Sequence, residues 1–417
     1  MIIHRDKYLK RLILSQGNGL IKIITGIRRC GKSYLLFKLF VNHLKEQGID
    51  DEHIIRIDLE DFRNANLYEP MALINYIDSK IKDAGQYHVL LDEVQYVKKF
   101  EHVLNSYLKK ENVDVYVTGS NSKFLSSDIA TEFRGRGDEI HLNPLSFSEF
   151  YSAKGGEYFE AWQEYVTYGG LPQIFTLADE QKKEDYLKNV FQTVYLHDLL
   201  ERNSILKSDE FSELVSIMAS SIGSPCNATK LSNTFKTVSH KELTSTTISN
   251  YLGYMEDAYL IERSFRYDIK GKKYINSLSK YYFSDIGVRN AILGFRQQEE
   301  THIMENIIYN ELRSRGFSVD VGIIESRSKN DAEKWVRRQL EVDFVVNRGS
   351  KRYYIQSAFM IPDKEKMQQE SASLKLIRDA FKKIIIVRDY VKPWYTEDGI
   401  LIIGLFDFLL NPESINY

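Results

Sequence analysis

The feature that most narrows the fold is a short string near the start, Gly26-Ile27-Arg28-Arg29-Cys30-Gly31-Lys32-Ser33. It satisfies G-x-x-x-x-G-K-[ST] at every fixed position. Its flanks fit the mechanics too: an apolar run (LIKIIT) enters it and a helical pattern (SYLLFKLF) leaves it. The glycines let successive backbone N–H groups turn inward, and the start of a helix adds its partial positive charge. The string therefore predicts a phosphate cradle over Gly26 to Tyr34. In such a cradle Lys32 reaches the outer phosphates and the Ser33 hydroxyl binds Mg²⁺, so ATP and Mg²⁺ are the expected ligands. Cys30 holds a spacer position, where packing is expected rather than reactivity.

The first third of the chain alternates between two periods. Apolar runs of strand length occur at 20–25 (LIKIIT), 53–60 (HIIRIDLE), 87–93 (YHVLLDE) and 113–120 (VDVYVTGS). Between them lie longer stretches, 33–48, 69–85 and 99–111, with apolar residues three and four apart. Strands alternating with helical patterns imply a parallel sheet covered on both faces. YHVLLDEVQ then places Asp92 and Glu93 directly after a buried run, at the carboxyl edge where such sheets bind ligands. Asp92 is expected to hold the metal, and Glu93 to polarise an attacking water as general base. At the end of the next run, Thr118, Ser120 and Asn121 are placed to sense a γ-phosphate; ordinary turn chemistry at a strand end explains them equally well.

Length and composition bound the rest. At 417 residues the chain is too long for a single core, since domains run to about 150 residues. With 56 Lys+Arg against 58 Asp+Glu the net charge is −2, so any nucleic-acid surface must be local. Two cysteines, Cys30 and Cys226, exclude a disulfide framework and a four-thiolate zinc site. Charges interrupt MIIHRDKYLKRL before a signal-peptide core forms, and the longest apolar runs, such as ILIIGLF, are too short to cross a bilayer. A cytoplasmic protein with no membrane partner is expected. The histidines lack metal spacing, and His88 and His197 read as structural.

The strings GIRRCGKS, LLDEVQ, TGSNSKFLSSDIATEFRGR, HLNPLSFSEF and YVTYGGLPQIF together resemble a large prokaryotic group. It is the AAA-type P-loop ATPases whose C-terminal half carries the domain of unknown function numbered 4143. The resemblance extends over most of the chain and is most specific over 20–175. It implies an ATPase with a catalytic glutamate beside the metal-binding aspartate. It also sets Arg136 where an arginine meets a nucleotide; supplied by a neighbouring copy, that role would require a homo-oligomer. A solvated basic loop or a phosphate contact to nucleic acid accounts for Arg134 and Arg136 as readily. By the same carry-over Arg5 and Tyr8 would flank the adenine.

Downstream, Pro144 marks a turn, and residues 149–205 read as a helical lid or connector after a core over 1–148. Residues 206–285 show three helical patterns (211–222, 227–236, 245–258) and a strand pair joined by the basic segment IKGKKYINSLSK, an order similar to a winged helix. In the third helix Ile248, Leu252 and Met255 make one apolar stripe, while Thr246, Thr247, Asn250 and Tyr254 make a polar face. Between 227 and 280 nine Lys/Arg oppose five acids, an excess suited to double-stranded DNA; a protein-docking role fits the same pattern. Residues 286–417 follow the order of a restriction-endonuclease-like α/β fold, with Glu305, Glu341 and Asp343 as the acids such nucleases use. The last motif fails: Gln356 stands where an acid belongs and Ala358 where the lysine belongs, leaving Lys351 or Lys364 as substitutes. The leading expectation is an ATP-hydrolysing switch acting on this tail. A DNA-binding regulator with ATP as conformational ligand and a Mg²⁺-dependent nuclease are the competing readings.

Overall fold

The computed structural model describes residues 2–119, 135–239, 241–296, 299–329 and 335–417. It divides into two compact units. One comprises 1–145 with the short pieces 171–176 and 257–259; the other comprises 146–170, 177–256 and 260–417.

The first unit is built on β1 (Ile21–Thr25), β2 (Ile54–Asp58), β3 (Tyr87–Asp92), β4 (Val113–Thr118) and β5 (Gly137–His141), which form one sheet in the order β2-β3-β4-β1-β5. Every neighbouring pair is parallel. Both β1 and β3 are buried at every position, as strands covered on two faces must be. On one face Ile21, Ile23, Val89, Leu91, Val115 and Val117 pack with residues of the Pro70–Lys80 and Phe100–Tyr107 helices. On the other, Phe40 from the helix that follows the phosphate loop meets Tyr116, ring centroids 4.6 Å apart. That helix is α over Lys32–Tyr34, π over Leu35–Phe40 and α again over Val41–Glu46.

The four expected strands and three expected helical stretches are present. β5 was not foreseen, because GDEIH carries charges and its burial is partial. It lies at the sheet edge, where one flank needs no apolar cover.

The second unit begins with helices, including Phe147–Lys154, Tyr158–Tyr168, Glu180–Asn189 and Ser208–Ser220. The first opens with a capping box in which Ser146 and Glu149 satisfy each other's backbone N–H groups. The string YVTYGGLP is explained by a buried polar knot. Asp285, the N-cap of the Ile286–Ile292 helix, accepts hydrogen bonds from Gly170 N at 2.7 Å and Val288 N at 2.9 Å. A Cβ on Gly287 would lie 2.0 Å from the Tyr168 carbonyl oxygen, so the backbones approach too closely for any side chain there.

The remaining strands are β6 (Ile261–Asp268), β7 (Lys273–Phe283), β8 (Ser318–Lys329), β9 (Trp335–Arg348), β10 (Lys351–Ala358), β11 (Lys382–Val387), β12 (Trp394–Tyr395) and β13 (Ile400–Gly404). They make one eight-stranded sheet in the order β12-β13-β11-β10-β9-β8-β6-β7. Here the structure departs from expectation in two ways. The segment taken as a basic connector is mostly strand, since β7 starts at Lys273. The β6–β7 hairpin is also continuous with the C-terminal sheet, β6 pairing parallel with β8, so no gap in the sheet falls at residue 285. The Lys364–Lys375 helix starts where Asp363 caps it by accepting from Lys366 N at 2.7 Å.

Candidate functional site

Thr25 ends β1, and the chain turns at once through Gly26, whose φ of +139° only glycine adopts readily. A Cβ there would fall 2.2 Å from the Leu142 carbonyl oxygen. Arg29 and Gly31 also take left-handed backbone, φ +68° and +99°, and helix begins at Lys32. The Lys32 ammonium donates to the carbonyls of Gly26 at 3.0 Å and Ile27 at 3.2 Å, spanning the loop it serves. Ser33 is exposed, Tyr34 half-buried, and Arg28 half-buried beside the fully exposed Arg29. Cys30 is completely buried, and burial pushes its thiol pKa up, which leaves it a packing residue.

The strand order puts β4 between β1 and β3, so Thr118 stands between the phosphate loop and the acid pair. Its hydroxyl donates to Asp92 Oδ1 and accepts from Glu93 N at 2.9 Å. Burial raises the Asp92 pKa to about 6, against the opposing pull of the Ser33 and Thr118 hydroxyls. Glu93 sits in left-handed backbone, φ +51°, an uncommon conformation for a non-glycine residue, and its carboxylate accepts from the Gln95 amide. The residues present fit a magnesium-bound nucleotide. A loop turned by Gly26 and Gly31 precedes a helix start, and Ser33 and Asp92 supply a hydroxyl and a carboxylate, the oxygen ligands a hard cation takes.

Three expectations change. Arg136 is not part of this site: its carbonyl accepts from Ile21 N at 2.9 Å, which fixes it at the amino-terminal edge of the sheet. The phosphate loop leaves the opposite edge, about 13 Å away over the length of β1. Its guanidinium reaches Asn105 Oδ1 at 3.4 Å. Arg5 and Tyr8 do not flank a base either, since both are buried. Arg5 donates to the Cys30 carbonyl at 3.4 Å and the Asn143 carbonyl at 2.6 Å while stacking on Tyr8, and so braces the loop. Ser120, Asn121 and Arg134 lie outside the described residues. His88 is buried beside Tyr116, and His197 pairs with Glu201 on the surface, as structural roles require. Gln95 was missed; its only signal was its place two residues after Glu93 in LLDEVQ.

In the second unit Glu305, Glu341 and Asp343 do converge, around Lys280 of β7. Lys351 and Lys364 are exposed and take no part, and Ala358 is buried in the apolar core. Among the described residues no group of three or more His, Cys, Asp or Glu side chains is set to hold a metal ion, and no helix is long and apolar enough to cross a membrane.

A five-stranded parallel sheet in this order, with a glycine-turned phosphate loop on β1 and an acid pair ending β3, defines a P-loop protein of the AAA ATPase-like class. Residues 18–151 match the AAA domain family, and residues 159–299 match a domain of unknown function, DUF8612, where the resemblance implied number 4143. The chain is 33% identical over 416 residues to an uncharacterised protein of Haemophilus influenzae, covering 98% of this chain and 99% of that one. It is 30% identical over 394 residues to an uncharacterised protein of Methanocaldococcus jannaschii, covering 91% and 82%. This chain belongs to the family of the Haemophilus protein. Among solved structures, the Walker-type ATPase PABY2304 of Pyrococcus abyssi shares the fold, with a TM-score of 0.50 at 15% identity over 70% of this chain and 96% of that one.

Proposed function

We propose that the chain binds ATP with magnesium in the Gly26–Tyr34 loop and hydrolyses it, and that its nucleotide state switches the 146–417 region. The observation that carries this reading is the Thr118 hydroxyl, bonded both to the Asp92 carboxylate and to the backbone of Glu93, beside a glycine-turned loop that opens a helix at Lys32. Lys32 binds the outer phosphates, and Ser33 and Asp92 hold the metal. Magnesium, when bound, neutralises phosphate charge. Glu93 takes the proton of the attacking water. Arg136, remote from its own loop, acts only if a second copy of the chain receives it. Glu93→Gln should keep ATP affinity while turnover falls by about 10²–10⁴, the usual weight of a general base. Unchanged steady-state turnover would remove Glu93 from this role.

A second reading, a DNA-binding regulator, has its own support. The Ser208–Ser220, Ala228–Thr234 and Ser245–Asp257 helices, the bridge between Cys226 and Ser279, and the β6–β7 hairpin follow winged-helix order. Ile248, Leu252 and Met255 are buried, Thr246 and Asn250 exposed. Duplex binding that weakens steeply with salt and persists in Lys32→Ala would favour this reading.

A further inference from the structure

Lys280 lies near the end of β7 with its side chain only 4% exposed. Its ammonium donates to Glu305 Oε1 at 2.8 Å, is paired with Glu341 Oε1 at 2.7 Å, and stands 4.0 Å from Asp343 Oδ1. These acids come from two elements, the Glu300–Ser314 helix and β9. The Tyr282 hydroxyl also donates to Glu305 Oε1, at 2.7 Å, and Ser357 N donates to Asp343 Oδ2 at 2.8 Å. An unpaired ammonium would not remain charged at such depth, and three adjoining carboxylates would repel one another without a cation among them. Burial opposes the Lys280 charge, yet Glu305, Asp343 and Glu341 together hold its pKa above the ordinary lysine value.

A lysine that steadies an attacking water stands beside a metal and leaves the carboxylates free to bind it. Lys280 does the reverse, taking up the oxygens of Glu305 and Glu341 that a metal would need. A second, divalent charge within a few ångströms would meet strong repulsion in a site so poorly solvated.

We propose that the Lys280 ammonium is the resident cation of this cluster and occupies the place a divalent metal would need. The C-terminal sheet then keeps the acid arrangement of a metal-dependent hydrolase as a metal-free centre whose acids are offset in part by a cation of the chain itself. This inference rests on the cluster alone and stands whether or not the first unit hydrolyses ATP.

The test uses the full, metal-stripped chain without nucleotide. Titrated with Mn²⁺ and followed by electron paramagnetic resonance, the native chain should show no site that Asp343→Asn removes. Lys280→Ala, with the ammonium gone, should bind Mn²⁺ at least about tenfold more tightly than the native chain and melt higher when Mn²⁺ is added. If Lys280→Ala fails to fold, Lys280→Ala/Glu305→Gln, with one negative charge fewer, should recover the fold. Any of four results overturns the proposal. They are a native Mn²⁺ site lost in Asp343→Asn, native Mg²⁺-dependent plasmid nicking lost in the same variant, a folded Lys280→Ala with no gain in Mn²⁺ affinity, and failure of Glu305→Gln to rescue an unfolded Lys280→Ala.

Discussion

The two acid sites of this chain solve opposite problems. Around Asp92 the bonded partner is the neutral Thr118 hydroxyl, Ser33 is exposed, and the loop's Lys32 is bonded to backbone carbonyls. Around Asp343 the cation is part of the chain, with Lys280 and Glu305 buried and Glu341 partly exposed. One site, on the proposed reading, receives its positive charge from outside; the other already holds a cation of its own. Similar residue types therefore support different chemistry according to where the positive charge originates.

The largest effect that tests this contrast is on stability. Lys280→Met leaves three acids uncompensated and should cost about 3–5 kcal/mol, whereas Lys32→Ala should cost about 1 kcal/mol while abolishing nucleotide binding. Urea unfolding of both variants measures the difference, and equal losses would erase the distinction. Next in size is Gly26→Ala. Its methyl must displace the Leu142 carbonyl, and a misplaced loop should lower ATP affinity about a hundredfold in a calorimetric titration.

A smaller effect is expected with pH. Burial first, and Glu305 next, push the Asp343 pKa above its ordinary 3.8, so folding favours the protonated carboxyl. Its contribution is complete below the ordinary value and is lost as pH rises toward the raised one. Melting of the native chain should therefore decline relative to Asp343→Asn as pH rises above the ordinary carboxylate range. A parallel pair of profiles would mean that Asp343 does not titrate this way. The smallest effect belongs to Arg136→Ala: being remote from its own loop, it should change ATP affinity by less than about twofold. A large loss in dilute protein would show that the arginine reaches its own nucleotide.

Much of the first site was legible because its chemistry is written in contiguous strings. GIRRCGKS follows β1 directly and opens a helix, and LLDE ends β3, so each puts its candidate groups within a few residues of a strand end. Thr118 was left open between two roles, and only the strand order shows it standing between the loop and the acids. Arg136 misled because a linear string does not say which edge of the sheet a residue faces. In the second unit the acids were visible and the cation was not. Lys280 is 25 residues from Glu305 and was counted as part of a basic connector, because the alternation of β7 was hidden by its lysines. No local pattern marks a pairing made across a sheet.

The threonine at the end of β4 has a consequence for control. A single oxygen serves the Asp92 carboxylate, the metal ligand of the proposed reading, as donor and the neighbouring glutamate's backbone as acceptor. Any slip of that strand along its neighbour would retune cation and water together, so the protein has one mechanical handle on two chemical settings.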